Sequence, residues 1–152
     1  PYKKSVYVTE TFNHIKNTLG IDEFKRLFEV ILTDNGTEFY DPESIEIDLN
    51  TGEKVCSLFY CDPNCSWQKG SIEKNHEYIR YILPKGTSFA DLSQDDCYLI
   101  ASNINSVPRL SLNNNSPYDI ALLFLGEQTI NKLNIKKIDY DDIDLSIRLL
   151  KK

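Results

Sequence analysis

The run Val30, Ile31, Leu32 and Thr33, closed by Asp34, Asn35 and Gly36, constrains this chain more than any other segment. An unbroken apolar run with β-branched members suits a buried strand. The Asp-Asn-Gly cluster then stops it. Asn-Gly also favours a hairpin, but residues 37–47 do not alternate as a return strand would. The segment 29–33 is therefore expected to be a strand of an α/β fold. Asp34 would stand at its C-terminal end, where open α/β sheets carry their chemistry.

The flanking sequence supplies helices. Val8, Phe12, Ile15 and Leu19 recur at helical steps, which predicts an amphipathic helix closed by Gly20. A short helix follows over 22–28. Asn50, Thr51 and Gly52 mark a turn, and 54–60 is expected to be a second strand. A helix over 68–83 is stopped by Pro84, with Ile72, His76, Ile79 and Leu83 along its apolar stripe. On that stripe His76 is expected to be buried and hydrogen-bonded, and Trp67 and Phe59 are expected in the core. Ser93 precedes Asp95 and Asp96 as the N-cap of a helix that runs to about residue 106. A short helix over 118–125 ends at Gly126. This divides the chain into a core region, 1–126, and a C-terminal appendage, 127–152.

Composition bounds the function classes. At 152 residues, with 41% apolar and 26% charged content, the chain has the size and balance of one soluble domain. No apolar run reaches the length of a membrane span, and the N-terminus lacks the apolar stretch of a signal peptide. A cytoplasmic chain with no membrane partner is expected. It contains no Met and is expected to be a piece of a longer protein. The net charge of −6 argues against nucleic acid by itself. However, Asp139, Asp141, Asp142 and Asp144 place much of the acid in the tail and leave room for a local basic surface. Cys56, Cys61, Cys65 and Cys97 form no Cys-x-x-Cys, and His14 and His76 lack zinc-finger spacing, so reduced thiols are expected.

Two acids stand out by placement. Asp34 ends the first strand, and Glu73 lies near the start of the helix that follows the second, with 38 positions between them. Two carboxylates delivered by different elements can share Mg²⁺ or Mn²⁺, and a pair of such ions serves in-line phosphoryl transfer. Arg80, seven residues after Glu73, falls on the same side of the helix. It could hold a DNA phosphate, with Lys69, Lys74 and Lys85 flanking it. If the acids share one ion, their carboxylates should approach within roughly 8 Å.

The wording around these acids is more specific than their placement. Thr33, Asp34, Asn35, Gly36, Glu38 and Phe39 resemble the block around the second acid of retroviral integrases and related transposases. The segment 59–80 is similar to their third-acid block: a strand, a loop rich in Asp, Pro and Ser, then Gly70 and Glu73. With 83–89 and 103–109, the chain looks like a DDE-type insertion-sequence transposase of the thirty-numbered bacterial family. The resemblance implies a ribonuclease-H-like, integrase-core α/β fold. It carries over Asp34 and Glu73 as second and third catalytic, metal-binding acids. It also carries over Arg80 as the basic residue that follows, Asn75 as a polar position on DNA, and Glu38 as a residue shaping the site.

The interval between the acids is longer than the family's, and the turn at 50–52 is expected to hold the extra residues. No residue here matches the family's first acid, so the first strands of the sheet are expected to be missing. The resemblance thus implies Mg²⁺ or Mn²⁺, two ions in the complete site. The partner is DNA, both transposon ends and target, and the chain alone is expected to be inactive. It also implies that both strands flank the missing first strand and that the freed edges drive self-association. The alternative is a non-catalytic integrase-like module for DNA binding or assembly.

Overall fold

The computed structural model describes residues 5–62 and 70–150 and, of residues 70–73, the backbone alone. The chain divides into two compact units, Pro1–Gly70 and Ser71–Lys152.

The first unit runs α1 (Ser5–Leu19), α2 (Ile21–Leu27), β1 (Val30–Thr33), a 3-10 turn (Thr37–Phe39), α3 (Glu43–Glu46) and β2 (Ser57–Tyr60). Gly20 separates the two helices at φ +90°, a value that favours glycine. The strands pair in parallel, with Val30 opposite Ser57 and Thr33 opposite Tyr60. Both strands are thus direct neighbours, which corrects the expectation that a first strand lies between them. A parallel pair cannot be joined by a tight turn. Here the chain crosses over through α3 and a hairpin in which Ile47 bridges Lys54 antiparallel.

Asp48 builds the tip of that hairpin, at the turn foreseen from Asn50, Thr51 and Gly52. Its Oδ1 accepts from the backbone N–H groups of Asn50 and Thr51, both at 3.0 Å. The Thr51 N–H, foremost among several hydrogen bonds, holds the Asp48 carboxyl below the usual carboxylate range, and nearby Lys16 adds to the effect. Lys16 is buried in α1 and its Nζ lies 3.6 Å from Asp48.

The core of this unit is Phe24, Ile45, Val55, Cys56 and Leu58, joined by Phe12, Ile15, Phe28 and Ile31. Phe24 stacks on Phe28 at 4.8 Å between centroids, and Phe12 meets Phe28 edge-on at 6.2 Å. These helices cover one face of the strand pair. On the other face Val30, Leu32 and Phe59 are 62%, 43% and 54% exposed, so Phe59 is not a core residue here. The reason is the two-residue period of a strand: the register sets Leu32 beside Phe59, away from Ile31 and Leu58.

The second unit holds α4 (Gly70–Ile82), α5 (Gln94–Ser106), a 3-10 turn (Leu110–Leu112), α6 (Pro117–Leu125), α7 (Glu127–Lys132) and a 3-10 turn (Tyr140–Asp142). Ser93 caps α5 in a capping box with Asp96. Ser116 does the same for α6 with Asp119, with Pro117 at the first helical position. Ile82, Leu83, Ile100 and Ile104 form the core, and Leu145, Leu149 and Leu150 of the tail pack against it.

The tail is tied down along α5. Ser102 Oγ accepts from the Lys136 N–H at 3.0 Å, Ser106 Oγ from Ile138 at 2.9 Å, and Asn103 Oδ1 from Asp144 at 2.9 Å. Those three side chains are buried and need partners, and an extended tail has N–H groups to give. His76, expected to be buried, is exposed. Tyr78, Ile79 and Ile82 of α4, with Leu83 just after it, pack into the core, and His76 is not among them. No helix among the described residues is long and apolar enough to cross a membrane.

Candidate active site

The parallel strands bring their C-terminal ends to one edge. Thr33, the last residue of β1, is buried, and its carbonyl accepts from Cys61 N at 2.7 Å, one step past β2. Asp34 follows immediately and is exposed, with Asp62 exposed on the neighbouring strand end. The next residues pin this loop. Phe39 packs into the core, its N–H donates to the Gly36 carbonyl at 3.0 Å, and its own carbonyl accepts from the Tyr60 hydroxyl.

Gly36 leaves room for the Glu38 carboxylate, which any Cβ there would have to displace, and its backbone conformation does not itself call for glycine. A Cβ built there would lie 2.6 Å from Glu38 Oε2 and 2.8 Å from its Cδ. The Glu38 carboxylate thus lies against the Gly36 backbone, with Oε2 buried. The Asp-Asn-Gly-x-Glu-Phe wording becomes a local device: an acid at the strand end, a glycine that admits a carboxylate, and an aromatic anchor.

Helix α4 carries the other candidates. Position 73 lies in its first turn, but the Glu73 side chain is outside the described residues, as is Lys69 entirely. Asp34 and position 73 fall in separate units, so the expected approach of their carboxylates also lies outside what is described. Arg80, in the last turn of α4, and Lys85, in the following loop, are exposed and have no ion-pair partner among the described residues.

Lys74 is engaged. Its Nζ lies 2.6 Å from Glu77 Oε2, and that bond raises the lysine's pKa. The Glu77 carboxyl is lowered first by Lys74 and then by the Tyr81 hydroxyl. Asn75 is turned elsewhere. Positions two apart on a helix lie about 200° around it, so Asn75 does not share the side of positions 73 and 80. Its Oδ1 accepts from Arg109 Nη2 at 2.9 Å. It also lines a cleft of about 330 Å³ with Ile79, Leu92, Ile100 and Ile104. Arg109 received no role from the sequence, because its bond to Asn75 spans 34 positions and leaves no periodic trace.

Cys56, Cys61 and Cys97 are free thiols, and Cys65 lies outside the described residues. Burial, with Glu46 adding to it, pushes the Cys56 thiol up, which keeps it protonated and unreactive. Among the described residues no three His, Cys, Asp or Glu side chains converge as a ready metal cage.

The described residues form a mixed α/β structure with Asp34 at the C-terminal edge of a parallel strand pair. The sequence is also similar to three insertion-sequence transposases. Over 103 residues, 68% of this chain, it is 33% identical to the transposase for insertion sequence element IS1086 of Cupriavidus metallidurans, covering 29% of that protein. It is 36% identical over 76 residues, 50% of this chain and 19% of the relative, to transposase InsI for insertion sequence element IS30A of Escherichia coli K12. It is 31% identical over 93 residues, 61% of this chain and 27% of the relative, to the transposase for insertion sequence element IS4351 of Bacteroides fragilis. The chain therefore spans less than a third of each of these relatives. No family model matches it, and no solved structure does.

Proposed function

We propose that this chain is part of the catalytic region of a DDE-type transposase with a ribonuclease-H-like fold, acting in DNA cleavage and strand transfer. The observation that carries the reading is the 33% identity to a named insertion-sequence transposase over 68% of the chain. Asp34 and Glu73 act as second and third acids, and DNA, as transposon ends and target, is the partner. The donor set suits hard divalent cations: Asp34 offers exposed carboxylate oxygens at a strand end pinned by Phe39 and Tyr60. Mg²⁺ or Mn²⁺, two ions in the complete site, would supply charge neutralisation at the reacting phosphate and activation of a water or 3′-hydroxyl.

The chain's own residues bind and orient. Arg80 and Lys85, which have no ion-pair partner among the described residues, meet backbone phosphates in this reading, with Lys69 and Lys74 flanking them and Asn75 contacting DNA on another side of α4. Glu38 shapes the loop that carries Asp34. Two carboxylates alone do not position both nucleophile and leaving group, so the chain by itself is inactive in this reading. The exposed apolar face of the strand pair adds self-association.

Paramagnetic Mn²⁺ tests the ligand assignment without needing turnover. It should broaden the amide resonances around Asp34 and Glu73 together. Asp34→Asn and Glu73→Gln should each relieve the broadening. Broadening centred elsewhere, or insensitive to both exchanges, would overturn the assignment.

A further inference from the structure

Arg109 is a cation that no acid among the described residues pairs with. Its Nη2 donates to Asn75 Oδ1 at 2.9 Å, its Cζ lies 5.5 Å from the centre of the Tyr78 ring, and its Nε is buried with no hydrogen-bond partner. No carboxylate among the described residues pairs with it. Lys16, Lys25, Arg26, Lys54, Lys74 and Lys137 have acidic partners, whereas Arg109, like the more exposed Arg80 and Lys85, has none among the described residues. In a chain of net charge −6, acid is not scarce.

The loop presenting Arg109 is closed on itself. The Arg109 N–H donates to the Asn115 carbonyl at 3.1 Å, and the Arg109 carbonyl accepts from Leu112 at 2.9 Å and Asn114 at 3.0 Å. Asn113 and Asn114 take φ of 52° and 62° to make that closure. The base of the side chain is therefore preset.

Two chemical consequences follow from donor-only guanidinium. First, the amide atom of Asn75 facing it must be the oxygen, so the Asn75 N–H₂ is directed away as a further pair of donors. Second, an amide oxygen and a π face leave the positive charge unneutralised, with fork donors still unused that fit a phosphate.

The geometry points to a phosphate-binding site formed by Arg109 and Asn75 that takes a backbone phosphate of DNA. It lies about 200° around α4 from position 73, so the phosphate it holds is not the reacting one. The inference rests on the DNA reading above and adds a second point of contact to it.

The test is the salt dependence of binding between this chain and a short labelled DNA duplex. Each phosphate contact contributes about one to the slope of log affinity against log salt. Arg109→Gln should make that slope shallower by about one, and Arg109→Lys should retain it. If Arg109→Gln does not fold, Asn75→Asp carries the test. It gives Arg109 a carboxylate, leaves the fold contact in place, and should flatten the slope likewise. Weaker binding at an unchanged slope would mean that Arg109 only props α4. Unchanged binding would equally overturn the site, and either result leaves the DNA reading standing. An unmutated, folded chain that binds no DNA at low salt would overturn both.

Discussion

Single residues here are set by contacts far apart in sequence, and Asp119 shows it best. It completes the capping box of α6, accepting from the Ser116 N–H at 3.1 Å. Lys137, eighteen positions on, donates to both of its carboxylate oxygens at 2.7 Å. The Lys137 ammonium, then Ser116, bring the Asp119 pKa down from 3.8 to about 2. A pKa lowered by folding means that the unfolded chain binds the proton more tightly. The stabilisation is therefore complete above pH 3.8 and is lost as pH falls toward 2. The melting temperature of the unmutated chain should exceed that of Asp119→Asn at pH 5, and the gap should close by pH 2. Parallel curves across that range would refute the assignment. Nothing local in the sequence points from Asp119 to Lys137.

At the scale of elements, capping and periodicity explain where helices start better than which faces they bury. The cap at Ser93 is legible because its device is local. Its Oγ accepts from the Asp96 N–H at 3.1 Å, and Asp96 returns the bond by accepting from the Ser93 N–H at 2.9 Å. Ser93→Ala should lower stability by about 1 kcal/mol in urea unfolding, and Ser93→Asp should restore most of it. A Ser93→Ala chain of unchanged stability would show that the tail contacts, not the cap, hold α5. The buried face of α5 was not legible, since Ser102, Asn103 and Ser106 read as polar surface. They are buried because the tail N–H groups come to them. The same limit misplaced His76, whose spacing fits an apolar stripe although its side chain is exposed.

At the scale of the molecule, the strand pair is the element least complete by itself. A two-stranded sheet is marginal alone, and each strand keeps one unpaired edge among the described residues. Val30, Leu32 and Phe59 add an exposed apolar face. A second copy can cover both the face and an edge at once. Light scattering across a concentration series should therefore show a dimer, and Leu32→Lys should shift it toward monomer by placing a charge in the covered face. A strictly monomeric particle at every concentration would rule this out.

Short-range chemistry accounts for the local devices. The stop at Asp34, the turn at 50–52, the break at Pro84 and the cap at Ser93 all depend on interactions within a few residues. The sequence also carried the wording around Asp34 and Glu73 that resembles insertion-sequence transposases, and parts of the chain are 31–36% identical to named ones. Tertiary structure decided what local chemistry cannot encode. It set β1 directly against β2, turned Phe59 to the open face, and brought Lys137 to Asp119 and Arg109 to Asn75. Each of these depends on which distant segment arrives, and a side chain's own neighbours in sequence carry no record of that.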